Sequence, residues 1–146
     1  MGMVIPRTVR SESPQETIIV HPPVDLSEAL REELLGLRNL VGWTSAAVTR
    51  RDGLAIQHTF GRSREANSLC AMAAAVVGGA RATGEELGKG AFNYSIVQYV
   101  DGILLVMEAG AEAILACLFA RNANIGLALM KMSQIAKRIE ERLEEL

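Results

Sequence analysis

Hydrophobic residues recur along the chain with two different periods, and each change of period marks the border of a predicted element. From Asp25 onward the apolar residues fall at helical spacing, namely Leu26, Leu30, Leu34, Leu37 and Leu40. Asp25 also precedes Glu28 by three residues, which is the spacing of a helix N-cap and its reciprocal carboxylate. The pattern predicts an amphipathic helix that begins at Asp25 and docks by its leucine face.

The next two apolar segments alternate as strands do. Residues 43–50 read WTSAAVTR and residues 54–60 read LAIQHTF, with Asp52-Gly53 between them. Asp-Gly between two alternating runs is a strong hairpin signal, because tight turns need a positive φ that glycine adopts readily. We therefore interpret Arg50 and Arg51 as residues that flank a hairpin tip, and not as part of a catalytic loop.

A long helix rich in small residues is predicted from Ser63 to Leu87, with two different apolar faces. The larger side chains are expected to cover a sheet; they are Leu69, Met72, Val76 and Leu87, with Ala80 and Thr83 completing the stripe. A second stripe of small residues is predicted to contact the same helix of another protomer; it comprises Ala71, Ala74, Ala75, Gly78 and Ala82. Packing inside its own domain is the alternative. Gly78→Leu is expected to push the two helices apart.

Three further strands are predicted in the C-terminal half. They cover residues 91–100, 103–110 and 112–120, with a turn at Asp101-Gly102 between the first two. The last two strands are almost continuously apolar, which is typical of central strands covered on both faces. The first is more mixed in character and indicates an edge strand.

A final helix is expected after Asn122 or Asn124, either of which is suited to cap it. Its apolar positions are spaced alternately four and three apart, at Ile125, Leu129, Met132, Ala136, Ile139, Leu143 and Leu146. We expect this seam to pack on the sheet, with a short coiled coil as the alternative. The element order α-β-β-α-β-β-β-α then predicts an α/β (α+β) fold in which helices sandwich a five-stranded antiparallel sheet.

The first 24 residues differ in composition from the rest of the chain. They hold all four prolines, so we expect a flexible tail at residues 1–24 and one domain at residues 25–146. The formal net charge of −2 gives no electrostatic reason to expect nucleic acid or an anionic membrane as a partner. No apolar run suits membrane insertion, and Cys70 and Cys117 lie in apolar runs, as buried thiols do. A cytoplasmic location is expected.

No recognisable catalytic or metal-binding pattern emerges from the sequence. Residues 84–92, GEELGKGAF, place three residues rather than four before Gly-Lys and lack the following Ser or Thr of a phosphate loop. His21 and His58 are far apart and have no metal-ligand spacing with each other or with the cysteines. No serine has an evident base beside it. We therefore expect an interaction module rather than an enzyme, with no catalytic residue, metal or cofactor.

Three segments together resemble the Roadblock family of dynein light chains and prokaryotic GTPase regulators. They are residues 41–56, the helix AMAAAVVGGARATGEELG at residues 71–88, and residues 118–127. The resemblance covers residues 25–146 and implies the profilin-like Roadblock fold. It also implies a dimer, with itself or with a paralogue, in which the third strands pair edge to edge and the long second helices lie antiparallel. The edge-strand residues assigned to this contact are Phe92, Tyr94 and Ile96.

The resemblance further implies a Ras-like small GTPase as partner, which the dimer regulates or carries as a scaffold. The expected binding surface lies around the paired second helices, and its candidate residues are Arg64, Glu65, Asn67 and Arg81. Two other functions stay open at this point. One is a structural adaptor that is indifferent to nucleotide state, and the other is a small-ligand sensor, which an apolar cavity lined by polar groups would favour.

Overall fold

The computed structural model describes residues 24–145. The tail predicted at residues 1–24 and the last seam residue, Leu146, therefore fall outside the described residues, except that Val24 already belongs to the first helix. The elements are α1 (Val24–Leu35), β1 (Trp43–Arg50), β2 (Ala55–His58), α2 (Ser63–Glu86), β3 (Tyr94–Tyr99), β4 (Gly102–Ala109), β5 (Ala113–Phe119) and α3 (Ile125–Glu144).

The five strands form one sheet in the order β2-β1-β5-β4-β3, and every neighbouring pair is antiparallel. Almost every residue of β4 and β5 is buried, which confirms that these apolar strands are central. β3 lies at one edge, as its mixed composition indicated. The predicted element order and the antiparallel sheet between helices are both confirmed.

Helices cover both faces of the sheet, and each face has its own core. On one face α1 and α3 pack over a cluster that includes Leu105, Leu115 and Phe119. The other face carries α2 over a smaller cluster that includes Leu104 and Ile114. The final helix therefore packs on the sheet, as expected, and Met132 is fully buried there.

Both ends of α1 differ from the predicted ones, and the N-terminus of α3 shows which of the two predicted asparagines caps it. α1 begins at Val24, so Asp25 lies in its first turn and is not the N-cap. α1 ends at Leu35 rather than continuing to Leu40, and successive i→i+3 turns then keep Leu37 directed into the core. At α3 the cap is Asn124, whose Oδ1 accepts a hydrogen bond from the Leu127 N–H at 3.1 Å.

A buried carboxylate joins the two helices of the first face. Glu33 of α1 is 8% exposed. Its Oε2 accepts hydrogen bonds of 3.1 Å from both Nε and Nη2 of Arg142, and its Oε1 lies 3.7 Å from Nη1 of Arg138. Because a buried charge is costly unless it is paired, these two arginines compensate the Glu33 carboxylate and tie α3 to α1.

The face by which α2 meets the sheet differs from the predicted one. Its buried residues are small or of medium size, namely Ala66, Cys70, Ala73 and Val77. The stripe of larger residues, including Leu69 and Met72, is partly buried beside this face, and Leu87 is 63% exposed. Small side chains let the helix lie close to the sheet, so the larger ones pack sideways.

Candidate interaction surface

The Asp52-Gly53 hairpin is present, and the two arginines beside it do different things. Gly53 has φ +91°, a conformation that side chains with a Cβ rarely adopt. Arg50 pairs with Asp52 at 2.8 Å on the surface. Arg51 instead crosses to the β4–β5 turn, where its guanidinium donates to the carbonyls of Gly110 and Ala111. The tip is thus a structural corner, as predicted.

Arg51 shares one carboxylate with Arg81. Glu108 Oε2 lies 2.7 Å from Arg51 Nη2 and 3.4 Å from Arg81 Nε. The three side chains therefore tie the hairpin tip, the end of β4 and the C-terminal half of α2 together. Arg81 was a candidate for partner binding, and in this chain its guanidinium is already held against Glu108.

The four candidate partner-binding residues do not form one cluster. Arg64, Glu65 and Asn67 are exposed in the first turns of α2. Arg81 lies about 25 Å further along the helix axis, at 1.5 Å per residue. A single small ligand cannot bridge that distance, whereas a protein surface can.

The predicted small-residue stripe turns partly toward the protomer's own hairpin. A side chain at Gly53 would come within 3.2 Å of Ala71 Cα and 3.5 Å of Ala74 Cβ, so these two alanines face the β1–β2 hairpin. Gly78, four residues after Ala74, lies on the same side of the helix. Ala71, Ala75, Gly78 and Ala82 are exposed, and Ala74 is partly buried.

The opposite flank of α2 faces β3 and borders an open groove. The Tyr99 hydroxyl of β3 lies 3.3 Å from the Met72 sulfur. The groove has a volume of about 710 Å³ and runs between the N-terminal half of α2 and the sheet. Its lining combines apolar and aromatic side chains with charges of both signs from the start of α2, and includes Leu69, Met72, Tyr99, Leu104, Arg62, Arg64 and Glu65. Sequence reasoning missed this groove, because it assigned Leu69 and Met72 to the sheet-facing side.

The edge strand β3 presents apolar side chains on both faces of the sheet. Ile96 is opposite Leu105 of β4, which places it on the α1–α3 face, and it is 41% exposed. Tyr94 is also exposed and lies on that same face, opposite Met107. Phe92 precedes the strand and packs into the α2-side cluster instead. The three predicted edge residues therefore divide between two layers.

The Asp101-Gly102 turn is also built differently from the first hairpin. Tyr99 pairs directly with Gly102, so the turn residues are Val100 and Asp101, and Gly102 is the first residue of β4. A Cβ at Gly102 would lie 3.1 Å from the Phe119 carbonyl oxygen. Close approach to β5, and not a positive φ, therefore explains this glycine.

Burial shifts the pKa values of two cysteines and one histidine away from their usual values. Complete burial raises the pKa of the Cys117 thiol, and burial also raises that of Cys70, offset in part by a hydrogen bond with Thr49. Both thiols are free and buried, so neither is a ready nucleophile at neutral pH. Burial, and next the positive charge of Arg31, lower the pKa of His58 below its usual value.

The residues that the structure describes form neither a metal site nor a phosphate loop. Within residues 24–145 no group of three or more His, Cys, Asp or Glu side chains is placed to hold a metal ion. The GEELGKGAF segment follows the C-terminal end of α2, whereas a phosphate loop leads into a helix N-terminus. None of the helices between Val24 and Glu145 has the length and apolar character needed to cross a bilayer.

The structure thus has an antiparallel sheet with one exposed apolar edge beside a long helix with an exposed flank, and such surfaces are typical of interaction domains. Residues 30–119 match the model of the Roadblock/LC7 domain. The chain belongs to the Roadblock/LC7 family. Family membership supports a regulatory role for the chain.

The chain is also similar to a relative in sequence and to solved structures in fold. The uncharacterized protein MJ1340 of Methanocaldococcus jannaschii is 33% identical over 107 residues, which are 73% of this chain and 93% of that protein. The gliding protein MglB of Thermus thermophilus has a TM-score of 0.75 at 20% identity, over 89% of this chain and 98% of its own. An MglB structure with a tetrameric arrangement has a TM-score of 0.76 at 21% identity, over 88% and 96%. The profilin-like Roadblock fold predicted from the sequence is confirmed.

Proposed function

We propose that the chain is a homodimeric, non-enzymatic regulator or scaffold that binds a Ras-like small GTPase. The observation that carries the proposal is the exposed edge of β3 beside the long helix α2 in a Roadblock/LC7 domain. The Roadblock resemblance implies both self-pairing through these elements and a GTPase partner. We place the protein in the cytoplasm, because its two free, buried thiols suit a reducing compartment.

Self-pairing is supported by the chemistry of the β3 edge. An uncovered edge strand has unpaired backbone N–H and C=O groups and invites another strand to pair with it. Proteins usually protect such an edge with charge, proline or a covering element. Here Tyr94, Ile96 and Tyr99 are exposed instead. A twofold pair of β3 strands satisfies the backbone groups and buries these side chains at once.

GTPase binding is supported by the exposed polar residues at the start of α2. Arg64, Glu65 and Asn67 stand at the N-terminal end of that helix. In a twofold dimer two such clusters lie on one side of the sheet, where a partner protein can contact both. Arg81 is the fourth proposed contact, and it must exchange its pairing with Glu108 for one with the partner.

The test is sedimentation of the purified chain with a Ras-like GTPase from the same genome, loaded with GDP or with a non-hydrolysable GTP analogue. We expect a dimer that gains the mass of the GTPase in the GTP-analogue state. The double variant Arg64→Ala with Asn67→Ala should weaken this complex about tenfold. Lys137→Ala, an exposed residue of α3 on the other face of the sheet, is the matched control and should bind as wild type does.

The outcomes separate the proposed functions. Equal binding of both nucleotide states would replace nucleotide sensing with the structural adaptor. A dimer that binds no GTPase in either state would overturn the GTPase proposal and keep the dimer. A monomeric chain would remove the dimer from which the binding surface is built.

A further inference from the structure

Glu108, near the end of β4, attracts two arginines but holds them unequally. Its Oε2 lies 2.7 Å from Arg51 Nη2 and 3.4 Å from Arg81 Nε. Arg51 has two further anchors, the carbonyls of Gly110 and Ala111. Within residues 24–145 Arg81 takes part in no other ion pair. Arg51 is thus fixed by three contacts, whereas Arg81 depends on Glu108 alone.

The attraction that holds Arg81 is one that a partner can replace. Glu108 Oε2 is buried, yet neither arginine approaches it with the alignment of a hydrogen bond, so charge attraction is what holds them. The Arg81 side chain is 52% exposed, against 30% for Arg51. Water competes for an exposed ion pair, and such a pair contributes little to stability. Arg81 is therefore the arginine that can leave.

The surroundings of Arg81 leave room for this movement. An open pocket of about 770 Å³ lies at the C-terminal end of α2, and its lining includes Arg81, Gly84, Glu85, Gly88, Phe92 and Glu108. Side chains are missing at two of these positions, since both are glycines. If Arg81 turns away, Glu108 keeps the charge of Arg51, so no buried carboxylate is left unpaired.

We propose that Glu108 competes with the GTPase for Arg81: it holds the arginine in the free chain, and an acidic side chain of the GTPase takes its place in the complex. This inference rests on the proposed GTPase complex and adds what limits its affinity. Arg51 stays on Glu108 in both states, so the exchange moves one side chain. Glu108 then weakens the complex without touching the partner.

The two members of the pair should change binding in opposite directions. Arg81→Ala removes the contact and should raise the dissociation constant of the GTPase complex about fivefold. Glu108→Gln should lower it about threefold, because glutamine still accepts a bond from Arg51 but no longer attracts Arg81 by charge. In the double variant the constant should equal that of Arg81→Ala, since no arginine is left to release.

Glu85→Gln is the matched control. Glu85 follows Arg81 by one helical turn and lines the same pocket, but within residues 24–145 it forms no ion pair. It should change the dissociation constant less than about twofold, which separates competition for Arg81 from a general loss of negative charge. Titration of each full chain against the GTPase loaded with the GTP analogue measures these constants.

Thermal unfolding without the GTPase tests the unequal hold directly. Arg81→Ala should shift the unfolding temperature by less than about 2 °C, because only an exposed ion pair is lost. Arg51→Ala should lower it by about 4 °C or more, because the hairpin also loses its bonds to the β4–β5 turn. Equal shifts would contradict the assignment of Arg81 as the arginine that leaves.

The binding results separate this inference from the proposed function. A tighter Glu108→Gln complex beside a weaker Arg81→Ala complex supports the competition. If wild type binds the GTPase and Glu108→Gln binds no more tightly, the inference is overturned and the proposed function stands. If Arg81→Ala changes only the hydrolysis of GTP and not binding, Arg81 acts on the nucleotide, and the contact with an acidic side chain is overturned. A wild-type chain that binds no GTPase overturns both proposals.

Discussion

The sheet ends in β2 on one side and in β3 on the other, and these two edges differ in length, in polarity and in what covers them. β2 has four residues, and side chains tie it to α1: Gln57 Nε2 donates to the Ser27 carbonyl at 2.9 Å, and Arg31 Nη1 donates to the His58 carbonyl at 3.0 Å. β3 has six residues and several exposed apolar side chains. One edge is tied to the protomer's own α1, and the other is the edge that the proposed homodimer would pair.

The largest expected effect comes from charging the open edge. Ile96→Lys replaces an apolar edge residue and sets two lysines near each other across the twofold axis. We expect the dimer dissociation constant to rise about a hundredfold, equivalent to about 3 kcal/mol. Leu54→Lys, at a residue of the same 41% exposure near the closed edge, is the control and should leave the dimer intact. A dimeric Ile96→Lys variant would show that β3 does not pair.

Substitutions at two adjacent glycines of α2 can show which flank of the helix forms the proposed dimer contact. A Cβ at Gly78 or at Gly79 would meet no atom within 4 Å in the protomer, so both tolerate a side chain. Gly79 follows Met72 by seven residues and lies toward the β3-facing flank. We expect Gly79→Leu to weaken the dimer about tenfold by overpacking that flank, and Gly78→Leu to change it less than about twofold.

The reverse result for these two glycines has a definite meaning. A dissociated Gly78→Leu variant beside a dimeric Gly79→Leu variant would assign the contact to the small-residue stripe predicted from sequence. Both proteins should first be shown to unfold at the wild-type temperature or above, because leucine is a better helix former than glycine.

Loosening the closed edge should affect folding and leave assembly unchanged. Gln57→Ala removes the hydrogen bonds to Ser27 and the bond that Gln57 Oε1 accepts from the His58 N–H at 2.9 Å. We expect the free energy of unfolding to fall by about 1 kcal/mol, with faster amide exchange in β2. The dimer dissociation constant should not change. If the Gln57→Ala chain forms larger assemblies through β2, the bonds of Gln57 to Ser27 normally prevent other chains from pairing with this edge.

The smallest expected effect is a pH dependence at the same closed edge. The pKa of folded His58 lies below its usual value, so the unfolded chain takes up this proton more readily as the pH falls. The contribution of His58 to stability is therefore complete above about pH 6.5 and is lost as the pH falls through the folded pKa. His58→Asn, which can still accept the Phe60 N–H bond, should reduce the slope of stability between pH 7 and pH 5. An unchanged slope would contradict this role.

The local elements of this fold could be predicted from the sequence because their signals are local. The Asp52-Gly53 turn and the alternation on either side of it predicted β1 at the observed residues 43–50. Two apolar runs likewise predicted the central strands. Turn chemistry and period act over a few residues, and packing elsewhere in the chain did not override them here.

The orientation of α2 could not be predicted in the same way. Sequence reasoning gave the sheet to the larger residues, whereas Ala73 and its small neighbours hold that position and leave Leu87 outside. Likewise, the bond of Arg142 to Glu33 and the position of Arg51 against Glu108 join residues that are far apart in the chain. Such choices depend on three-dimensional packing, and a single sequence holds no local signal for them. The groove was missed for the same reason.

The position of β5 between β1 and β4 has a consequence for how the protein is made. The β1–β2 and β3–β4 hairpins are each local, but β5 is the strand that joins them, and Trp43 at the start of β1 pairs with Phe119 at its end. Contacts between distant residues slow folding, and a growing chain must wait for them. Until Phe119 has left the ribosome, the nascent chain can pair its strands only as two separate hairpins with four open edges, and the arrival of the last strand reduces these edges to two.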